Sequence, residues 1–83
     1  MTRETLEHLV LEAIKAHNGS ASIVDVAKHI WANYEQELKQ SGDLFFTWQY
    51  DMRWAAQKLR DRGILKPVRE AENGKWELNS ESH

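Results

Sequence analysis

The chain has 83 residues, no cysteine and a formal net charge of −2 at pH 7. This length gives one small domain and leaves no room for a second core, a Rossmann unit or a barrel. The lack of cysteine excludes disulfides, thiolate metal sites and cysteine nucleophiles. A negative net charge argues against coating nucleic acid by bulk charge. No signal sequence and no run of ~18 apolar residues is visible, so we expect a cytoplasmic protein without a membrane span.

The first periodic segment predicts a helix from about Arg3 to His17. Thr2 is a candidate N-cap, and Asn18-Gly19 is expected to end the helix, with Gly19 in the left-handed conformation. The apolar residues follow the spacing of one helical face: Leu6, Leu9, Val10, Ala13 and Ile14.

A second helix is predicted to open at Ser22 after a short connector, Ser20–Ala21. Ser22 and Asp25 resemble a capping box in which Asp replaces the usual Glu. The polar segment 39–43 is expected to end the helix. Its apolar stripe consists of Ile23, Val26, Ala27, Ile30, Trp31, Tyr34 and Leu38.

Thr47 is expected to cap a third helix that runs from about Trp48 to Arg62. The apolar run 44–46 before it is too short for a helix of its own and is either one helical turn or a bridging segment. Gly63 closes the helix. One face is predicted to be buried and contains Trp48, Met52, Ala55 and Leu59, with Trp54 and Ala56 at its borders.

After Gly63 the period of the apolar residues changes from 3.6 to 2, which predicts a β-hairpin. Residues 64–69 form its first strand, which Pro67 restricts to an edge, and Asn73-Gly74 is a strong hairpin turn signal. Residues 75–78 form the return strand, with Trp76 and Leu78 on one face. Three helices followed by a hairpin that covers them predict an α+β fold, a winged helix-turn-helix over residues 1–79, with a flexible tail at 80–83.

Charge is unevenly distributed along the chain. Residues 1–50 carry four basic and seven acidic side chains, residues 51–70 six and three, and residues 71–83 one and three. The net charges are therefore −3, +3 and −2, and the positive segment covers the third helix and the first wing strand. A basic segment on an otherwise acidic domain is typical of a nucleic-acid interface.

Polar residues on the third helix form a stripe opposite its apolar face: Gln49, Arg53, Gln57 and Arg60. Arg pairs bidentately with guanine and Gln with adenine, so these side chains are candidates for base contacts. A second set is better placed for phosphates: Lys58, Arg62, Lys66 and Arg69. Lys75, after the wing turn, is a candidate for a contact with a flanking backbone or the minor groove. A polar stripe opposite a core face is equally what any surface helix presents.

The aromatic residues are expected to build most of the core, chiefly Trp31, Tyr34, Trp54 and Trp76. The segment Phe45–Tyr50 is too aromatic to be wholly buried in so small a domain, so at least one of its rings is expected to be part-exposed. Such a ring stacks on a base or contacts a protein. Phe45, Trp48 and Tyr50 are the candidates.

No catalytic or metal-binding pattern is visible, so we expect neither enzyme activity nor a cofactor. The four histidines are far apart and lack ligand spacing: His8, His17, His29 and His83. The four glycines each lie at the end of an element rather than in a phosphate-binding loop.

The last 35 residues contain a helix end with Trp54, Ala55 and Leu59 before Gly63, and then a hairpin segment with Gly74, Trp76 and Leu78. In these features the segment resembles the N-terminal domain of Mrr-type restriction endonucleases, and the rest of the chain resembles it loosely. That domain has a helix end of the form W-A-x-x-x-L-x-x-x-G followed by two apolar residues, and then a hairpin reading G-x-W-x-L-T. Asn79 stands where the final Thr would be. The matching residues are Trp54, Ala55, Leu59, Gly63, Ile64, Leu65, Gly74, Trp76 and Leu78. The resemblance implies a winged-helix DNA-binding module and no nuclease activity, because cleavage in that family belongs to a separate C-terminal domain.

The sequence therefore predicts a regulatory or targeting protein that binds double-stranded DNA. The alternative is a winged-helix module for protein–protein interaction, which makes a homodimer or another protein contact through residues 44–50. It is favoured by the acidic first two helices and by the acidic wing residues Glu70, Glu72 and Glu77.

Overall fold

The computed structural model describes residues 1–67 and 74–79. Its elements, in chain order, are α1 (Thr5–Ala16), β1 (Ser20–Ser22), α2 (Ile23–Lys39), α3 (Leu44–Asp61) and β2 (Lys75–Glu77). This is an α+β arrangement of three helices and a small antiparallel sheet, as predicted. The candidate phosphate contact Arg69, the turn residue Asn73 and the predicted tail 80–83 lie outside the described residues. No helix within the described ranges is both long and apolar enough to cross a membrane.

A hydroxyl side chain caps the second helix as predicted, but the N-cap position of α1 is Glu4, which makes no side-chain capping bond, and not the predicted Thr2. The Thr5 N–H donates to Oγ1 of Thr2 at 3.3 Å, although α1 itself starts only at Thr5. The Asp25 N–H donates to Oγ of Ser22 at 3.1 Å, and Ser22 has the extended backbone of an N-cap residue. Both bonds satisfy N–H groups that have no partner inside the helix.

The turn that ends α1 differs from the prediction in one residue. Asn18, with φ +61°, occupies the first left-handed position, and Gly19, with φ +91°, follows it. Their N–H groups donate to the carbonyls of Lys15 and Ile14 at 3.1 and 2.9 Å, which is the pattern of a Schellman motif. Asn tolerates the left-handed region better than most residues, so the stop uses both Asn18 and Gly19.

The third helix is one turn longer than predicted. It begins at Leu44, so the apolar run 44–46 is its first turn and Thr47 lies inside it. The Thr47 hydroxyl donates to Oδ2 of Asp51 at 2.8 Å instead of capping the helix. The extra turn continues the exposed face of α3 toward its N-terminus, where Phe46 is 82% exposed.

The sheet joins distant parts of the chain. The predicted connector Ser20–Ala21 is part of a strand, β1, which pairs antiparallel with β2 so that Ala21 lies opposite Trp76. The predicted first wing strand is reduced, in its described part, to a bridge between Leu65 and Leu78. The Lys66 N–H continues this bridge by donating to the carbonyl of Glu77 at 2.9 Å. β2 therefore lies between β1 and the segment after α3.

The core lies where α1 packs against both other helices and where β1, paired with β2, packs against α1 and α2. The predicted buried face of α3 is confirmed, and Trp76 is 8% exposed. The prediction of a core position for Trp31 is wrong, because Trp31 is 37% exposed and stacks on the buried Trp48. The buried apolar residues are Leu6, Leu9, Val10, Ala13, Ile14, Ala21, Val26, Ile30, Leu38, Trp48, Met52, Ala55, Ala56, Leu59, Leu65 and Trp76.

Candidate nucleic-acid interface

The polar stripe predicted on α3 is present on the solvent side of the helix. Gln49, Arg53 and Gln57 are exposed, and Arg60 is half-buried. We call these four residues the α3 stripe. Since they recur every three or four residues, they lie within about 80° of one another around the helix axis. The stripe is therefore one continuous surface about three turns long.

Arg53 lies at the centre of this stripe and has no hydrogen bond or ion pair with any described residue. Its side chain lines a hollow of about 300 Å³ between α3 and the first turns of α2. Gln49 lines the same hollow, as do Val24 and Lys28 of α2. Lys28 is likewise exposed and unpartnered within residues 1–67 and 74–79. Two free cations of different helices thus face one hollow.

The C-terminal half of the stripe is held by hydrogen bonds. Nη1 of Arg60 donates to Oε1 of Gln57 at 2.8 Å, and Nε2 of Gln57 donates to Oδ1 of Asp61 at 2.9 Å. These bonds fix the Gln57 amide, so its orientation is set before any ligand arrives. Arg60 acts here as a support for Gln57 rather than as a free donor.

The predicted phosphate-contacting cations are not gathered on the same face. Lys58 and Arg62 lie about 140° and 180° around α3 from Arg53. Nζ of Lys58 lies 5.5 Å from the ring centroid of Trp54, on the side of α3 away from the stripe. Arg62 points at α1, where its Nη1 lies 2.7 Å from Oε1 of the nearly buried Glu7. Arg62 is therefore engaged by a carboxylate of the chain itself, and its predicted phosphate contact stays a prediction.

The cations near the sheet also differ in their surroundings. Nζ of Lys66 lies 3.6 Å from Oε1 of Glu77, an ion pair across the Leu65–Leu78 bridge. Lys75 is exposed on β2. Arg69 falls in the part of the chain that the structure does not describe, so its predicted role stays a prediction.

Two aromatic rings extend the exposed face of α3 toward its N-terminus. Phe46 is 82% and Tyr50 74% exposed, and both lie within about 60° of Arg53 around the helix. The prediction of an exposed ring in this segment is confirmed for Tyr50, whereas Trp48 is 5% exposed and belongs to the core. Beside the rings, between α2 and α3, lies a groove of about 460 Å³. We call it the α2–α3 groove; it is lined by Ala27, Lys28, Trp31, Phe45, Trp48 and Gln49.

Lys28 was not predicted as an interface residue, and Phe46 was predicted only as part of the segment 44–50 of the alternative protein contact, not as an individual exposed ring. The exposed position of Phe46 was predictable from the sequence. The +3/+4 spacing of the stripe continues backward through Tyr50 to Phe46 if the helix begins before Thr47. Lys28 was not recoverable from α2 alone. Its place beside Arg53 depends on how α2 and α3 pack.

On another surface, a polar cluster joins α1 to α2. Oε2 of Glu12 lies 2.9 Å from Nε2 of His29, and the Tyr34 hydroxyl donates to Oε1 of Glu12 at 2.8 Å. The contact with His29, and then the bond from Tyr34, hold the pKa of the Glu12 carboxyl below its ordinary value of 4.5. The hydrogen bond to Glu12 raises the pKa of Tyr34 above 10.0. Within the described chain no group of three potential ligands could hold a metal ion.

Comparison of the chain with protein-family models, with curated proteins and with solved structures gave no match.

Proposed function

We propose that this chain is a winged-helix DNA-binding protein that inserts α3 into the major groove of duplex DNA. The element order supports it: three helices precede β2, and β2 lies between β1 and the segment that follows α3. The observation that carries the proposal is the unpartnered Arg53 at the centre of an exposed stripe. It is flanked one turn away by Gln49 and Gln57, so one groove-facing surface presents side chains suited to guanine and adenine edges.

The side chains then divide into two roles. Arg53, Gln49 and the oriented amide of Gln57 contact base edges. Lys28, across the hollow from Arg53, contacts a phosphate at the rim of the groove and so adds α2 to the interface. Lys58, Lys66 and Lys75 contribute at most to flanking phosphates, and Arg69 belongs to the same proposed set. The module acts as a regulator or as the targeting part of a larger assembly.

The test is an NMR titration of the ¹⁵N-labelled chain with a 16-base-pair duplex of random sequence. The backbone amides of residues 49–57 and the Arg53 Nε–H signal are expected to shift, while amides on the outer face of α1 stay unchanged. Binding is expected to weaken with salt, with a slope of about −0.9 per phosphate neutralised. Shifts that scatter over the whole surface, or affinity independent of salt, would contradict the proposal.

The second candidate is a protein-interaction module, and one observation favours it. Exposed aromatic rings at the N-terminal end of α3 adjoin an apolar groove, and aromatic residues are enriched at the centres of protein interfaces. In that case the titration with DNA leaves Arg53 unshifted, and the affected residues in a partner complex are Phe46 and Tyr50.

A further inference from the structure

The N-terminal end of α3 carries a projection and a recess side by side. Phe46 projects into solvent with 82% of its surface exposed, and Tyr50 follows one turn later. The α2–α3 groove opens next to them, since Phe45, which lines the groove, contacts Phe46 edge-on at 5.3 Å between ring centroids. A surface that carries both a ring and a recess can pair with a copy of itself across a twofold axis, because the ring of each copy then fills the recess of the other.

Charges at the edges of this surface are complementary in the same sense. Asp43, three residues before Phe46, is exposed, and its carboxylate makes no capping bond and no ion pair with a described residue. Lys28, on the wall of the groove, is exposed and makes no ion pair with a described residue. If Phe46 of one copy enters the groove of the other, Asp43 is carried toward the partner's Lys28, and the symmetry repeats the pair. An isologous contact thus satisfies two charges per copy that the single chain leaves unpaired.

We infer that the Phe46 face and the α2–α3 groove form the interface of a symmetric homodimer, with Phe46 of each copy in the groove of the other. The Phe46 and Tyr50 rings of two copies contribute roughly 600–1,000 Å² of buried surface. The groove walls they cover add a smaller area, so the interface is at or below the lower end of the range of about 1,200–2,000 Å² found in specific interfaces, as in weak, transient complexes. Because few polar contacts accompany this area, we expect a dissociation constant in the micromolar range.

Charge reversal provides the sharpest test, with sedimentation equilibrium from about 5 µM to 1 mM protein as the measurement. Asp43→Lys and Lys28→Glu are each expected to raise the dimer dissociation constant at least about fivefold, because each brings like charges together twice per dimer. The double variant restores the opposite charges and is expected to return to within about threefold of the original value. Both side chains are exposed, so folding is unaffected, and circular dichroism checks this.

A second pair of variants tests the ring. Phe46→Ser is expected to abolish dimerisation up to 1 mM, whereas Val24→Ser, which changes an exposed apolar residue outside the groove, leaves it intact. A chain that remains monomeric at 1 mM overturns the inference. A dimer whose stability is indifferent to both charge reversals, or in which the double variant is not restored, overturns it as well, since the interface then lies elsewhere. DNA binding is scored separately at concentrations where the chain is monomeric, so failure of one proposal is independent of the other.

Discussion

Two arginines of α3 show how differently cations of one helix are used. Arg62 lies in the seam between α1 and α3, where its guanidinium meets Oε1 of Glu7 at 2.7 Å. Arg53 lies nine residues earlier, on the opposite side of the helix, and meets no described side chain. The net charge of a segment therefore overstates the number of cations that are available to a ligand. Part of the basic segment 51–70 binds the chain's own carboxylates. Arg53, and Lys28 of α2 across the hollow from it, have no such partner among the described residues.

Removing the seam arginine is expected to have the largest effect on folding. In Arg62→Ala the Glu7 carboxylate, whose side chain is 8% exposed, loses its only described ion-pair partner. We expect the free energy of unfolding to fall by about 1–3 kcal/mol, the usual cost of leaving a buried polar group unsatisfied. Urea denaturation followed by circular dichroism measures this.

Arg53→Ala is the matched control, because it removes the same side chain from the solvent-facing side of the helix. Its stability is expected to change by no more than about 0.5 kcal/mol. If the two variants unfold at the same urea concentration, Arg62 contributes no more to stability than Arg53, and the Arg62–Glu7 ion pair does not stabilise the fold. Glu7→Gln combined with Arg62→Ala is expected to regain part of the loss, since a neutral amide is less costly to leave unpaired than a carboxylate.

For DNA binding the order of the two arginines is reversed, so the substitution of Arg53 is expected to have the larger effect. Arg53→Ala is expected to weaken binding to a preferred duplex by about 5- to 150-fold, which corresponds to the roughly 1–3 kcal/mol of a bidentate base contact. Arg53→Lys keeps the charge but loses the planar pair of donors, so it is expected to recover only a small part of the affinity. Fluorescence anisotropy with a labelled duplex measures both. Full recovery by lysine would assign Arg53 to a phosphate instead of a base.

Much of this fold follows from local sequence signals. Ser22 and the stops at Gly19 and Gly63 mark helix ends because each supplies a bond or a backbone conformation that the helix terminus needs. The start of α3 was misplaced because Thr47 resembles a cap, while its hydroxyl in fact binds Asp51 within the helix. The pairing of β1 with β2 was missed because three residues carry little pattern, and the partner strand lies over fifty residues away.

The candidate site was also predictable in part from local sequence signals. The α3 stripe follows from helical period alone, so Gln49, Arg53 and Gln57 are on the exposed side even though the helix start was wrong. Which cations are free could not be predicted, because the Arg62–Glu7 pair depends on how α1 packs against α3. The local sequence pattern determines on which face of the helix a residue lies, whereas tertiary packing determines which side chain it contacts.

A smaller expected effect is a change in the salt dependence of DNA binding, which distinguishes the hollow beside Arg53 from the seam between α1 and α3. Lys28→Ala removes one proposed phosphate contact and is expected to weaken binding by a similar factor for every duplex sequence, reducing the magnitude of the salt slope by about 1. Arg62→Ala, whose charge is used at the α1 seam, is expected to leave the slope unchanged. Anisotropy titrations between about 50 and 200 mM salt measure both. Equal changes in slope for the two variants would place Arg62 at the DNA after all.

The smallest effect concerns the other partnered carboxylate of α1, Glu12, which His29 and Tyr34 contact from α2. Its folded-state pKa lies below the ordinary 4.5, so its contribution to stability is present above that pH and is lost as the pH falls through the lower value. Glu12→Gln is therefore expected to reduce stability slightly at pH 7, by roughly 0.5 kcal/mol because the carboxylate is partly exposed and screened by solvent. The difference from the unmodified chain is expected to shrink below pH 4.5. Urea unfolding at pH 7 and at pH 3 measures it, with Glu4→Gln, an exposed carboxylate without a partner among the described residues, as the control. A difference that is the same at both pH values would mean that Glu12 acts through its shape alone, and that only the α1–α3 seam relies on charge.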